Sequence, residues 1–335
     1  MQKQKILVTG GCGYIGSHTV VELLDNNYDV VIVDNLINSN IQVLDRIKNI
    51  CGCSPEFYQE DINNENAMDN IFSQHTFTAV IHFAALKAVG ESVHSPLRYY
   101  ENNISGSVVL FKTMTRYNVF RIIFSSSATV YGNSSISPLT EDCPLSPTSP
   151  YAWTKVITEQ ILRDMKHSQS KWSIGILRYF NPVGAHQSGL IGEDPNDTPN
   201  NLMPYITQVA IGKLPILNVF GDDYPTHDGT GIRDYIHVVD LARGHLHALS
   251  YLIQHTELLT VNLGTGVGYS VLDVIKTFSK ASGCNIPYQI KPRRMGDVPI
   301  YLANPEKANK LLNWHAEYNL LQMCRDSWRW QCSHC

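Results

Sequence analysis

A glycine-punctuated turn near the start of the chain limits what it can fold into. Ile6-Leu7-Val8-Thr9 is a short apolar run ending in Gly10-x-x-Gly13-x-x-Gly16, and a helical apolar pattern (Ile15, Val20, Val21, Leu24) begins at once. A strand that passes through three glycines into a helix opens a βαβ unit. Gly10 permits the tight turn, Gly13 lets the backbone approach a pyrophosphate, and Gly16 lets the new helix lie close to its strand. The exposed N–H groups at that helix start favour an anion. A second apolar run, Val30–Val33, ends in Asp34, 24 residues after Gly10. A carboxylate there accepts hydrogen bonds from an adenosine ribose, and a 2′-phosphate would meet like charge, so the pattern favours NAD over NADP. Glycine turns alone are common; strand, glycines, helix, strand and acid in register carry the reading.

The same alternation continues. Apolar runs at 5–9, 30–34, 56–61, 79–84 and 121–125 are separated by amphipathic stretches near 14–26, 38–50, 64–74 and 92–117. A helix over about 150–168 leads to a strand over 173–177. Strands spaced by helices predict an α/β, Rossmann-type doubly wound parallel sheet with its ligand at the carboxyl edge. From 181 to 235 the texture turns to Gly, Pro, Asn and Asp, as in Gly192-Glu193-Asp194-Pro195-Asn196-Asp197, which predicts long ordered loops that build a site. Helical patterns return at 237–254, 270–282, 304–313 and 319–330. The 335 residues therefore divide into an NAD-binding domain over 1–180, with segments around 235–265 crossing back, and a smaller C-terminal α/β lobe, mainly 181–335, for the substrate.

Composition narrows the function. A net charge of −4 with no basic block argues against nucleic acid. No apolar run reaches the roughly 18 residues of a membrane span. Met1-Gln2-Lys3-Gln4-Lys5 runs straight into the first strand, which leaves no room for a signal peptide and implies the cytoplasm. Eight cysteines scattered over a chain of this size do not make a disulfide framework. Cys332-Ser333-His334-Cys335 has C-x-x-C spacing but no second ligand pair, so it reads as a frayed terminus and no metal is expected.

Two features fall at the predicted carboxyl edge. The fifth strand ends Phe124-Ser125-Ser126-Ser127, and Tyr151 and Lys155 follow at helical i, i+4 spacing, so they share a face. A lysine ammonium beside a phenol stabilises phenolate and lowers its pKa. With a serine hydroxyl sharing the proton, such a set can deprotonate a carbinol while hydride leaves its carbon for a nicotinamide.

With these residues the chain resembles the extended short-chain dehydrogenase/reductase family, and most closely its nucleotide-sugar epimerase branch, from about residue 4 to 331. The segments that carry the resemblance are Thr9–Gly16, His82–Ser92, Ser125–Gly132, the Tyr151/Lys155 pair, Arg178–Ala185, Asn200–Tyr205 and Asp228–Val238. The resemblance implies NAD-dependent inversion at C4 of UDP-glucose or UDP-galactose through a 4-keto sugar. It makes Tyr151 the base, Ser127 the group that passes or polarises the proton, and Lys155 the residue that lowers the tyrosine pKa and holds the nicotinamide ribose. On the cofactor side it implies Gly10, Gly13, Tyr14, Ile15, Gly16, Asp34, Asn35, Asn38, Phe83 and Ala84. Asp61 and Ile62 would flank adenine, Lys87 and Asn102 would approach ribose and phosphate, and Tyr179 would lie near the nicotinamide. On the substrate side it implies Asn181, Asn201 and Leu202 at the sugar nucleotide and Phe220 near uracil. Arg233, Arg294 and Asp297 would hold diphosphate and ribose, and Tyr301 would stand beside the sugar C2. A bulky ring at that last position should exclude an N-acetyl group. The wide apolar patterns of 92–117 and 150–168 match helices that pair subunits in this family, which implies a homodimer.

The departures are few. Cys12 stands in the glycine loop, Ala85 where glycine is frequent, and Trp153 adds bulk between Tyr151 and Lys155. Two other readings remain: an NAD-dependent nucleotide-sugar dehydratase or decarboxylase, and a non-catalytic NAD-binding scaffold. Ala128 and Thr129 stand where the former usually carries acids, and the intact Ser127/Tyr151/Lys155 set argues against the latter.

Overall fold

The computed structural model describes residues 3–194, 199, 201–294 and 296–334. Strands β1 (Lys5–Thr9), β2 (Asp29–Val33), β3 (Glu56–Tyr58), β4 (Ala79–His82), β5 (Arg121–Ser127) and β6 (Ser173–Tyr179) come first. Between them lie helices α1 (Tyr14–Asp25), α2 (Gln42–Cys51), α3 (Glu65–Gln74), α4 (Val89–His94), α5 (Pro96–Tyr100), α6 (Gly106–Arg116) and α7 (Pro150–Ser168). The chain then leaves the sheet through β7 (Asn181–Val183), α8 (Leu202–Ala210), β8 (Leu217–Phe220) and β9 (Ile232–His237). It returns along α9 (Val238–Gln254) to β10 (Leu258–Leu263). It continues through β11 (Gly268–Ser270), α10 (Val271–Ser282), β12 (Tyr288–Lys291), β13 (Ile300–Tyr301), α11 (Glu306–Leu312) and α12 (Leu320–Cys332).

Seven strands form the main sheet, all parallel, in the order β10-β6-β5-β4-β1-β2-β3. Strand side chains alternate between faces, and both faces are covered. Ile6, Val8, Val30, Ile32, Ile81 and Ile123 pack toward one core, and Leu7, Val31, Val33, Val80, Ile122 and Phe124 toward the other. Burial on both sides is why these strands read as continuous apolar runs. The strand order reverses beside β1, so the loops leaving β1 and β4 diverge and a crevice opens at their carboxyl ends. Elsewhere β9 pairs with β7, β11 and β13, and β8 pairs with β12. A separate apolar cluster, including Ile206, Val209, Val219, Val274, Phe278 and Met323, joins α8, α10 and α12. Among the described residues no helix is long and apolar enough to cross a membrane.

Several expectations need correcting. The single helix expected over 92–117 is broken at Pro96, whose ring drives Ser95 out of helical geometry (φ −131°, ψ 57°). It then passes through a π-helical turn, Glu101–Ser105, before α6. The third strand stops at Tyr58, short of Asp61, while β5 and β6 run on to Ser127 and Tyr179. The stretch 181–235 holds β7, α8, β8 and the start of β9 as well as loops. The C-terminal helix includes Cys332, so the expected fraying does not begin there. Cys335 lies outside the described residues, as do Asn200, Met295 and 195–198.

Candidate active site

The crevice begins with the glycine turn. Gly10 has φ +71°, and a Cβ there would come within 2.7 Å of the Ala84 backbone nitrogen at the end of β4. A Cβ on Gly16 would stand 2.2 Å from the Gly10 carbonyl, so only glycine lets α1 start against its own strand. The N-cap of α1 is Gly13, with no side-chain cap and no acid in the first turn, so the helix-start N–H groups suit an anionic guest. Tyr14 and Ile15 open the helix, half-buried, and the Tyr14 hydroxyl donates to the Gly184 carbonyl at 2.7 Å.

Asp34 lies buried just past β2. Its carboxylate accepts from the Cys12 N–H (3.0 Å), the Leu36 N–H (2.9 Å) and the Ser39 hydroxyl (2.9 Å). A carboxylate has about four acceptor positions, so one remains for a ribose hydroxyl. Asn35 donates to Asp61 at 2.9 Å, and Asn63 donates to the other oxygen. Burial would raise the Asp61 pKa, but these bonds hold it below its ordinary value. Ile62 is buried, Asn38 exposed, and Phe83 and Ala84 half-buried beyond β4. The half-buried Asn102 donates to the Asn103 side chain at 2.9 Å. An uncapped helix start, a cradle that any Cβ would fill and a carboxylate with one open acceptor together fit a dinucleotide.

The reactive group stands across the crevice, where β5 ends and α7 begins. Ser149 caps α7 and Pro150 occupies its first turn, which sets the helix start just before Tyr151. Tyr151 is hydrogen-bonded to Ser127, and the Thr129 hydroxyl donates to Ser127 Oγ at 3.0 Å. Lys155 is buried; its Nζ lies 5.8 Å from the Tyr151 ring centroid and donates to the Ser125 carbonyl at 2.8 Å. The expected lowering of the phenol is not met. Burial pushes Tyr151 up to about 12, with the Ser127 bond opposing, and Lys155 directs its ammonium at a carbonyl. Burial also lowers Lys155 to about 8, with Glu159 opposing. Beside them Tyr179 donates to His245 Nε2, whose Nδ1–H donates to the Leu241 carbonyl at 2.8 Å. Burial holds His245 down at about 4, so it stays neutral.

Beneath Lys155, one turn along α7, Glu159 accepts from Arg178 at 3.0 and 2.7 Å and from Ser126 at 2.6 Å. Both charged side chains are buried, and the fork ties α7 to β5 and β6.

The substrate-side residues gather around the ends of β8, β9 and β13. Arg233 donates to the Ile232 and Val298 carbonyls, both at 2.9 Å, and its second nitrogen is 3.7 Å from Asp297. Its acid is therefore Asp297 and not Asp234, which instead accepts from Thr265, Gly266 and Ala303. Arg294 pairs with Asp297 at 2.9 Å and lies 5.0 Å over the half-exposed Phe220 ring. The Tyr301 hydroxyl donates to the Ala128 carbonyl at 2.6 Å and its ring packs on Phe180. Asn181 and Asn201 are exposed, and Leu202 begins α8. Glu193 bridges the two sides, accepting from Lys87 at 3.2 Å and Asn201 at 2.9 Å. Asn38 follows β2, Asn181 begins β7 and Leu202 begins α8, and among the described residues they are placed near the site by position alone.

A family model described as GDP-mannose 4,6 dehydratase matches residues 7–327. The UDP-glucose 4-epimerase of Bacillus subtilis is 56% identical over 329 residues, covering 98% of this chain and 97% of that one. The chain belongs to the UDP-glucose 4-epimerase family. Two solved epimerases agree with the fold. The UDP-glucose 4-epimerase of Stenotrophomonas maltophila, with bound NAD and formylated UDP-arabinopyranose, superposes with a TM-score of 0.97 at 50% identity over 98% of both chains. That of Bifidobacterium longum, in complex with NAD+ and UDP, gives 0.95 at 50% identity over 99% of both. Sequence reasoning missed His245 and Glu193 in this epimerase chain, and it named Thr129 without foreseeing its bond to Ser127. A pointer existed for Glu159 alone, four residues beyond Lys155 and so on the same helical face.

Proposed function

We propose that this chain binds NAD and interconverts UDP-glucose and UDP-galactose, inverting the sugar C4 through a 4-keto intermediate. The observation that carries the reading is the meeting of Ser127, Tyr151 and Lys155 at the carboxyl edge of the main sheet, facing an uncapped helix start. NAD, when bound, supplies a hydride acceptor that also returns the hydride, and a positively charged ring. Gly10, Gly13, Tyr14, Ile15 and Gly16 would hold its phosphates, Asp34, Asn35 and Asn38 its adenosine ribose, and Asp61 and Ile62 its adenine. Phe83, Ala84, Lys87, Asn102, Lys155 and Tyr179 would line the remainder. Tyr151 Oη takes the proton of the C4 hydroxyl and gives it back after the sugar has turned about its bond to the diphosphate. Ser127 Oγ, already bonded to that phenol, relays or polarises the proton. Burial opposes phenolate, and the Lys155 ammonium, still mostly protonated at neutral pH, is the counter-charge the chain itself provides. Arg233, Arg294 and Asp297 grip diphosphate and ribose, with Phe220, Asn181, Asn201 and Leu202 around the rest of the nucleotide sugar.

A dehydratase needs a further proton-moving group after the strand-five serine. Here the Thr129 hydroxyl is committed to Ser127 and the Ala128 carbonyl to Tyr301, which favours epimerisation. Residues 1–180, with 235–265, form the cofactor side, and 181–335 mainly the sugar-nucleotide side. The chain acts as a homodimer: Val89, Val93, Leu97 and Trp153 are exposed apolar side chains on the adjoining helices α4, α5 and α7. Its compartment is the cytoplasm, consistent with free thiols at Cys12, Cys51, Cys53, Cys143, Cys284 and Cys324.

NMR of the purified protein with UDP-galactose, then UDP-N-acetylgalactosamine, tests this without added NAD. Conversion of the first substrate alone is expected. Conversion of neither, even after NAD is supplied, would overturn the reading. The Tyr301 ring is tethered at its hydroxyl, so its bulk cannot swing away from the C2 position. Tyr301→Cys should therefore turn over the N-acetylated sugar, and unchanged specificity would remove the gate.

A further inference from the structure

His245 lies on α9, wholly buried, between Phe83 just past the end of β4 and Tyr179 at the end of β6. The Phe83 ring is 4.8 Å away, centroid to centroid, and the Tyr179 ring 5.2 Å away, edge-on. The preceding residue lets the helix come this near: a Cβ on Gly244 would press on Leu263 at 3.0 Å, and Leu263 pairs with Tyr179 across the sheet. The histidine Nδ1–H donates to the Leu241 carbonyl at 2.8 Å, one helical turn back. With the proton on that nitrogen, a neutral imidazole has one acceptor left, Nε2. Nε2 accepts the Tyr179 hydroxyl. Both ring nitrogens are committed, and the second commitment is to a side chain assigned above to the cofactor.

Strands β4 and β6 flank β5 in the sheet, so the histidine bridges the two strand ends on either side of the one that carries Ser127. Tyr179 is the register partner of Ser127, which puts the two residues about 5 Å apart across the sheet. Packing limits how far the tyrosine ring can slide, but only its hydroxyl offers a directional anchor, and His245 takes it. Asp34, Asp61 and Ile62, assigned to the adenosine end, follow β2 and β3 on the other side of β1. We propose that His245 is a positioning residue of the cofactor site, holding Phe83 and Tyr179 as walls of the nicotinamide end beside Ser127 and acting through their rings. The assignment rests on the NAD reading of the crevice.

The test measures release of bound NAD, and of bound ADP-ribose, which lacks the nicotinamide. Wild type, His245→Phe, Tyr179→Phe and the double variant are compared, with melting temperatures recorded for all. His245→Phe keeps an aromatic ring and removes the acceptor. It should release NAD on the order of tenfold faster, as for one lost hydrogen bond, and ADP-ribose at the wild-type rate. The kcat for UDP-galactose should fall while its KM is retained. Because the histidine acts through the tyrosine hydroxyl, the double variant should lose no more than the larger single loss. Equal acceleration for NAD and ADP-ribose would make His245 a general packing residue and overturn the proposal. Unaltered NAD release, or losses that add in the double variant, would overturn it too. If His245→Phe does not fold, Tyr179→Phe breaks the same bond from the other side and decides alone. A wild type that retains no NAD would overturn the functional reading first and this assignment with it.

Discussion

Lys155 is a cation held in a dry place, and its pKa records what that costs. Its ammonium meets one carbonyl, and burial brings the pKa from 10.5 to about 8. A lysine with a depressed folded pKa binds fewer protons in the fold than in the unfolded chain, so stability rises with pH between the two values. Lys155→Met removes this dependence. Wild type should therefore gain up to about 3 kcal/mol relative to the variant as pH rises from 8 toward 10.5, while the variant is inactive at every pH. Urea unfolding of both proteins at pH 7 and pH 10 measures it, and parallel stability profiles would sink the argument. The Tyr151/Lys155 pair was legible because helical spacing puts i and i+4 on one face. The phenol's pKa was not, because it depends on burial by the whole fold. His245 and Glu193 were likewise silent: their partners Tyr179 and Lys87 are distant in sequence, and no local pattern links them.

At the scale of elements, the catalytic helix is held from below. Arg178 and Glu159 are fully buried, and Ser126 shares the carboxylate. Removing one member of such a pair strands a charge out of water. Glu159→Ala should cost about 3–5 kcal/mol of unfolding free energy, read from denaturant curves. A loss below about 1 kcal/mol would mean that water reaches Arg178. Element boundaries were legible where a local signal exists, as with Ser149-Pro150 at the start of α7. Pro96 was an equally local signal that the apolar periodicity of 92–117 masked. The short β7, β8 and β13 were hidden because they depend on pairing with distant partners.

At the scale of the molecule, the exposed apolar side chains on α4, α5 and α7 belong to an interface in the proposed homodimer. Leu97, 80% exposed, is the most accessible of them. Leu97→Glu should shift the sedimentation mass from two chains toward one at micromolar protein, and an unshifted mass would refute this use of the face. The doubly wound sheet was readable in outline because both of its faces are buried and its glycine turn is local. Its seventh strand was foreseen only as part of a segment around 235–265 crossing back, since β10 follows some 80 residues of intervening chain after β6. That detour bears on how the protein is made. The edge of β6 that pairs with β10 stays open while the intervening segment is synthesised, for roughly 4–16 s at ribosomal rates. During that interval a nascent chain carries an unsatisfied strand edge at the border of its main sheet, and it is then that chaperones have the most to protect.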